Sequence, residues 1–257
     1  MEGNDAGGAL ELIGVSRRFG EHVAVDDVSL SIERGGFVGL LGRNGAGKST
    51  IIKMATGLLP VSGGRIRVLG TEFTDEESAI SIKRRIGAMP EDMALLDRLT
   101  GPQFLRFVGR LYGLEDQVID ERARELGETL ELAPAPGTLI ADYSYGMKKK
   151  LALGSALLHG PALVFLDEPF EGIDPIAGRT IRGLLEGLRS RGVTLVLTSH
   201  MLEIVEKLCP LIAIIDKGRL LGFGTREEWR ERHRGADLES VFVELMGGAK
   251  AGALSWL

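Results

Sequence analysis

The sequence predicts an α/β fold with a mostly parallel sheet, a flanking antiparallel β subdomain and an inserted helical subdomain. Three observations point there. The runs ending at Leu41, Leu166 and Thr198 are continuously hydrophobic, as expected for parallel strands covered by helices on both faces. Early strands are joined by turns such as Gly20-Glu21-His22 and Ser62-Gly63-Gly64, which leave no room for a crossover helix and so imply antiparallel pairing. From about Leu99 to Leu158 the strand pattern disappears and amphipathic helices take over.

Taken in order, residues 1–9 form an acidic, flexible tail without the positive charge or apolar core of a signal peptide. Residues 10–257 form a single domain in four parts. In the first, 10–98, short branched-rich runs at Leu10 to Val15, Val28 to Ile32 and Phe37 to Leu41 read as strands. A helix opening near Ser49 follows, with Ile51, Ile52, Met54 and Ala55 to bury and Gly57 as its stop. Two further strands lie at Ile66 to Leu69 and Ile86 to Met89. In the second part, 99–158, Thr100 caps a helix whose Phe104, Leu105, Val108, Leu111 and Tyr112 make one apolar stripe. Another helix runs from Ile119 to Leu132, ending before the breaker Pro134-Ala135-Pro136-Gly137. The third part, 159–220, returns to strands at Leu163 to Leu166, Thr194 to Thr198 and Leu211 to Ile215, and 221–257 is a C-terminal extension.

Composition narrows the function. Hydrophobic residues at 44% and charged residues at 26% are those of an ordinary globular protein. A formal net charge of −5 gives no electrostatic footprint for nucleic acid or for an anionic membrane surface. Cys209 is the single cysteine, so no internal disulfide can form, and its apolar surroundings suggest a buried thiol in a reducing compartment. The best candidate for a membrane span, near Leu151 to Phe165, is broken by His159, Gly160 and Pro161. The chain is expected to stay cytosolic.

Residues 42–50 carry the strongest chemical signal. Gly42-Arg43-Asn44-Gly45-Ala46-Gly47-Lys48-Ser49-Thr50 fits G-x-x-x-x-G-K-[ST] directly after a buried strand, which identifies a P-loop NTPase core. Glycines let the backbone turn its amides inward, and the helix adds its positive dipole end, so an anion belongs there. Lys48 is suited to reach terminal phosphates and the Ser49 hydroxyl to hold Mg2+. Ser49 and Thr50 also suit helix capping; Arg43 supplies either another phosphate contact or a solvent-facing side chain. At the end of the strand Leu163 to Leu166, Asp167 is placed to hold Mg2+ through its water shell, and Glu168 to orient and deprotonate an attacking water. His200 ends another buried strand at the same sheet edge and can sense the γ-phosphate.

With these motifs in this order, the chain resembles the nucleotide-binding subunit of ATP-binding cassette (ABC) transporters over nearly its whole length. The resemblance makes Tyr143-Ser144-Tyr145-Gly146-Met147 the counterpart of the signature Leu-Ser-Gly-Gly-Gln, in which Ser144 and Gly146 match and contact the γ-phosphate held by a partner subunit. It makes Phe19 the aromatic that stacks on adenine, although an aromatic on an early strand equally suits core packing. It makes Asp174 the acid of the loop through which subunits communicate, and Glu91 the occupant of a glutamine position that touches Mg2+ and relays its state to the membrane subunit. Glu91 adds negative charge and cannot donate, so turnover is expected to be slower or differently gated.

Lys148, Lys149 and Lys150 stand in a first helical turn that disfavours cations. An anionic neighbour would explain them, but a solvated charge run is the commoner arrangement. The resemblance further implies ATP and Mg2+ as ligands, and a homodimer or a heterodimer with a similar subunit. It also implies a separate multi-span membrane permease, no nucleic-acid partner, and residence on the cytoplasmic face of the membrane. The Ser-x-Gly-Met-Lys-Lys form points to the exporter-type branch. Two other readings are a soluble ABC-type ATPase of translation or DNA repair, disfavoured by the lack of basic tracts, and a low-turnover regulatory subunit, disfavoured by intact Glu168 and His200.

Overall fold

Every residue of Phe37–Leu41 (β3), Leu163–Leu166 (β7) and Thr194–Ser199 (β8) is buried. Strands of this kind belong in the middle of a sheet covered on both faces. The computed structural model describes residues 8–248, and there they form the centre of a six-stranded sheet. Ile86–Met89 (β6), Leu211–Asp216 (β9) and Arg219–Thr225 (β10) complete it in the order β10-β9-β3-β8-β7-β6. All its pairings are parallel except β10 with β9, an edge strand that the sequence reading did not foresee. The signal was the pair Lys217-Gly218, whose φ values of 47° and 78° suit a two-residue hairpin turn.

A second sheet is antiparallel throughout: Leu10–Phe19 (β1), His22–Ile32 (β2), Gly63–Val68 (β4) and Thr71–Glu72 (β5), ordered β2-β1-β4-β5. β1 and β2 meet around the Gly20-Glu21 turn, and both extend well beyond their apolar cores. Gly63 and Gly64 are not a turn but open β4, where a Cβ on Gly64 would lie 2.3 Å from the Gly14 carbonyl oxygen. β5, two residues long, was too short to show a pattern.

Helices Lys48–Ala55 (α1) and Glu76–Lys83 (α2) accompany these strands. Three more lie between β6 and β7: Gly101–Leu111 (α3), Asp116–Thr129 (α4) and Tyr145–Leu157 (α5). Thr100 caps α3 in a reciprocal box with Gln103. α4 begins and ends three residues earlier than its apolar pattern suggests: exposed Asp116 and Gln117 start it, while Glu131, at φ 50°, turns the chain away before Leu132. Pro175–Ser190 (α6), Leu202–Leu208 (α7), Arg226–Arg232 (α8) and Leu238–Leu245 (α9) follow.

The two faces of the large sheet make separate cores. Ile51 and Met54 of α1 join Leu40, Phe165 and Val196 on the face toward the antiparallel sheet. Leu153 of α5, Leu185 of α6 and Val205 of α7 join Leu41, Leu166 and Leu197 on the other. Cys209 lies in the second core, where burial drives its thiol pKa far up and leaves it inert. Ala9, assigned to the tail on sequence, is buried and donates its amide to Ile32 at 2.7 Å. Residues 1–7 of that tail and 249–257 of the C-terminal extension lie outside the described residues. No helix among the described residues is long and apolar enough to cross a membrane.

Candidate functional site

β3 and α1 are joined by six residues that have almost no choice of conformation. A side chain at Gly42 would place its Cβ 2.3 Å from the Ile215 carbonyl oxygen, and one at Gly47 would lie 2.6 Å from that of Ala24. Gly45 and Gly47 take φ values of 79° and 106° that other residues rarely adopt. The Ala46 carbonyl is held from outside the loop by the Gly218 amide at 2.9 Å. Lys48 is 5% exposed; its Nζ donates to the carbonyls of Gly42 at 2.8 Å and Arg43 at 3.2 Å, and stands 3.4 Å from Glu168 Oε1.

Across this loop stands the end of β7. Asp167, 2% exposed, accepts from Ser49 Oγ at 3.0 Å and from Thr198 Oγ1. Glu168 takes φ 47°, its amide donates to Thr198 Oγ1 at 2.9 Å, and its Oε2 lies 3.1 Å from His200 Nδ1. Glu168 Oε1 is buried without a hydrogen-bond partner. A cavity of about 420 Å3, within the range of small-molecule sites, is lined by Lys48, Ser49 and Glu168, while Asp167, Thr198 and His200 are outside its lining. Asn44, Gly45, Ala46, Gly47, Lys48, Ser49 and Thr50 form its floor, and Phe19, Glu91 and Glu171 its rim. A larger groove, about 790 Å3, lies between α4 and α6, but it holds none of the phosphate-loop or strand-end groups.

The remaining predicted residues fall in two classes. Phe19, 46% exposed, is at the mouth of the cavity with the Arg17 guanidinium 4.7 Å from its ring centre, so it is not a core residue. Arg43 is exposed and its side chain is not part of the lining; only its carbonyl takes part, through Lys48. Ser144 and Gly146 are outside the cavity too. Ser144 is the N-cap of α5, accepting from the Met147 amide at 3.2 Å, and is exposed. The neighbouring Tyr145 ring covers Gly172, where a Cβ would come within 2.7 Å of it. Asp174 caps α6, accepting from the amides of Ile176 and Ala177 at 2.9 and 3.0 Å.

The lysine run is not a solvated face. Lys148 lies 3.5 Å from Asp97, Lys150 is 8% exposed, and Lys149 is fully buried, donating to the Glu168 carbonyl at 2.6 Å. Thr198 and Glu171 are the site residues that sequence reasoning missed; for the lysines it weighed an anionic neighbour against the commoner solvated run, and the burial of Lys149 overturns the latter.

The family model described as ABC transporter matches residues 25–171, more than half of the chain. The linearmycin resistance ATP-binding protein LnrL of Bacillus subtilis is 38% identical over 234 residues, covering 91% of this chain and 75% of that protein. The chain belongs to the ABC transporter family. The Nod factor export ATP-binding protein I of Bradyrhizobium diazoefficiens is 34% identical over 240 residues, 93% of this chain and 76% of that protein. A solved ATP-binding subunit of an ABC transporter superposes with a TM-score of 0.85 at 32% identity, covering 93% of this chain and 99% of that one.

The chain is therefore an ATP-binding and ATP-hydrolysing ABC subunit that works with Mg2+. Its residues fit those ligands. The glycine loop presents amides to a polyphosphate, Ser49 and Asp167 place a hydroxyl and a carboxylate oxygen side by side for a hard cation, and Glu168 Oε1, 3.4 Å from Lys48 Nζ, accepts no hydrogen bond.

Proposed function

We propose that two such subunits, identical or closely similar, close around two ATP molecules and drive export through a separate multi-span membrane permease at the cytoplasmic face. The observation that carries this reading is the separation of Ser144 from its own phosphate loop. Ser144 is exposed at a helix N-terminus, ready to meet an anion, yet it takes no part in the cavity formed by Lys48 and Glu168 of the same chain. A second copy supplying Ser144 and Gly146 would complete the cavity. The names of the relatives, one for linearmycin resistance and one for Nod factor export, support the outward direction and give no support to a role in translation or DNA repair.

Within each cavity, the amides of the glycine loop and Lys48 would bind the terminal phosphates, and Phe19 would stack on the adenine. Ser49, Asp167 and, from the rim, Glu91 would hold the cation. The cation held there would supply positive charge to offset that of the phosphate oxygens. Glu168 Oε1 would take a proton from the water that attacks the γ-phosphorus, as the bond to the bridging oxygen breaks and ADP leaves with it. His200, 3.1 Å from Oε2, would orient that carboxylate and follow the γ-phosphate.

Glu168→Gln tests the site. It should lower ATP hydrolysis by about 10²- to 10⁴-fold while ATP binding persists, and should accumulate an ATP-bound dimer in size-exclusion chromatography. A chain that stays monomeric under those conditions would count against the closed pair. Co-purification from membranes with a multi-span protein tests the permease.

A further inference from the structure

Lys149 is a buried cation with an unusual location. It lies in the second turn of α5, and none of its surface reaches water. Three kinds of group offset this. Its Nζ donates to the Glu168 carbonyl at 2.6 Å, the Tyr145 ring centre lies 5.6 Å away, and the negative charges of Glu171, Glu168, Glu91 and Asp167 favour its charged form. Burial holds the ammonium pKa below its ordinary value, and those four acids offset only part of that fall.

The partner it has chosen is strained. Glu168 sits at φ 47°, a region that a residue with a side chain occupies only when its surroundings enforce it. Both peptide groups of Glu168 are held: the amide by Thr198 Oγ1 at 2.9 Å and the carbonyl by Lys149. The direction of the carboxylate side chain follows from that backbone conformation. Glu91 and Glu171 meanwhile bring two further negative charges to the rim of a cavity meant for a polyphosphate.

We propose that Lys149 is a positioning residue for ATP hydrolysis, fixing the Glu168 peptide in its left-handed form and balancing the charge that Glu91 adds to the rim. This rests on the role proposed above for Glu168. It also accounts for how an acid is tolerated at position 91, where the family pattern has a neutral amide: the added charge is answered from α5, one helix turn beyond Tyr145.

A double-mutant cycle on the full chain tests it, with Lys149→Met, Glu91→Gln and the pair. ATPase kcat and KM are read together with the Kd of a fluorescent ATP analogue in Mg2+ and the thermal unfolding midpoint. Lys149→Met should lower kcat by about 10- to 100-fold, the cost of a misplaced catalytic group, with KM and Kd changed by less than about threefold. Adding Glu91→Gln should recover at least about fivefold of the lost kcat, which a lysine serving packing alone would not allow. A Lys149→Met rate within about threefold of wild type, or a rate indifferent to Glu91, overturns the proposal. If Lys149→Met shows no cooperative unfolding, the pair decides: restored folding supports charge balance, and continued failure overturns it. A Glu168→Gln chain as active as wild type would overturn the premise instead, and is recognised separately because it leaves the cycle with no base to position.

Discussion

The hydroxyl of Thr198 accepts the Glu168 amide at 2.9 Å and donates to the Asp167 carboxylate, so one oxygen on β8 orients both acids at the end of β7. Asp167 in turn accepts from Ser49 on α1. Three segments distant in sequence are thereby locked in register around the cavity, which is what electrostatic catalysis requires of groups that must not reorganise during the reaction.

Thr198→Val keeps the shape of the side chain and removes that oxygen. A buried amide and a carboxylate each lose a partner, so stability should fall by about 1–3 kcal/mol in urea unfolding and phosphate release should slow by at least about tenfold. Thr198→Ser should retain most of both. Equal rates for the valine and wild-type chains would show that the bridge is not needed to aim the carboxylates.

Phe19→Ala separates stacking from packing. The ring is 46% exposed, so the folded chain should lose little stability, while the Kd for ATP should rise by about 2- to 10-fold from the lost stack. A fall in the unfolding midpoint with unchanged Kd would return Phe19 to a structural role.

Gly39→Ala should destabilise without touching chemistry. A Cβ at this position would lie 2.6 Å from Val205 Cγ1 and 2.9 Å from Cys209 Sγ, so α7 must move off the sheet. Overpacking of this kind costs about 1–3 kcal/mol, measurable by denaturant titration.

His159 should give the folded state a pH dependence. Its Nε2 donates to the Ile86 carbonyl at 2.9 Å, its Nδ1 is buried without a partner, and its ring stacks on Tyr112 at 3.8 Å. Burial first, and the charge of Arg122, hold the imidazole pKa below its ordinary value, with the Ile86 bond a partial offset. The native ring stays neutral while the unfolded ring protonates near pH ~6.5, so the unfolded chain binds the extra proton. This contribution is present in full above that pH and is lost as pH falls toward the native pKa. Unfolding free energy measured at descending pH should therefore decline more steeply for wild type than for His159→Phe.

Much of this was legible in the residues. Apolar runs located β3, β7 and β8 because strands buried on both faces must be apolar at every position. The phosphate-loop pattern located its own helix because the glycines and Lys48 serve one geometry. The misfit of the lysine run with its helix start was legible, but not that Lys149 is the one held by Glu168, since a run of three lysines carries no mark of which one is turned inward. That is settled by Glu168, nineteen positions away, whose carbonyl faces α5 only after the sheet and the helical insert have packed. Thr198 was hidden for a similar reason: in a hydrophobic strand its hydroxyl looks like a tolerated polar atom until Asp167 and Glu168 arrive beside it. The edge strand β10 lacks the apolar continuity of its neighbours, since one side of it pairs with nothing in its sheet.

Gly218, in the hairpin between β9 and β10, donates its amide to Ala46 and accepts that of Asp26. The nucleotide-gripping loop is therefore unfinished until a turn near the far end of the chain has been synthesised. A nascent polypeptide arrested before that turn would carry the whole glycine motif with its Ala46 carbonyl unanswered, so this brace is added late in translation rather than when the motif itself emerges.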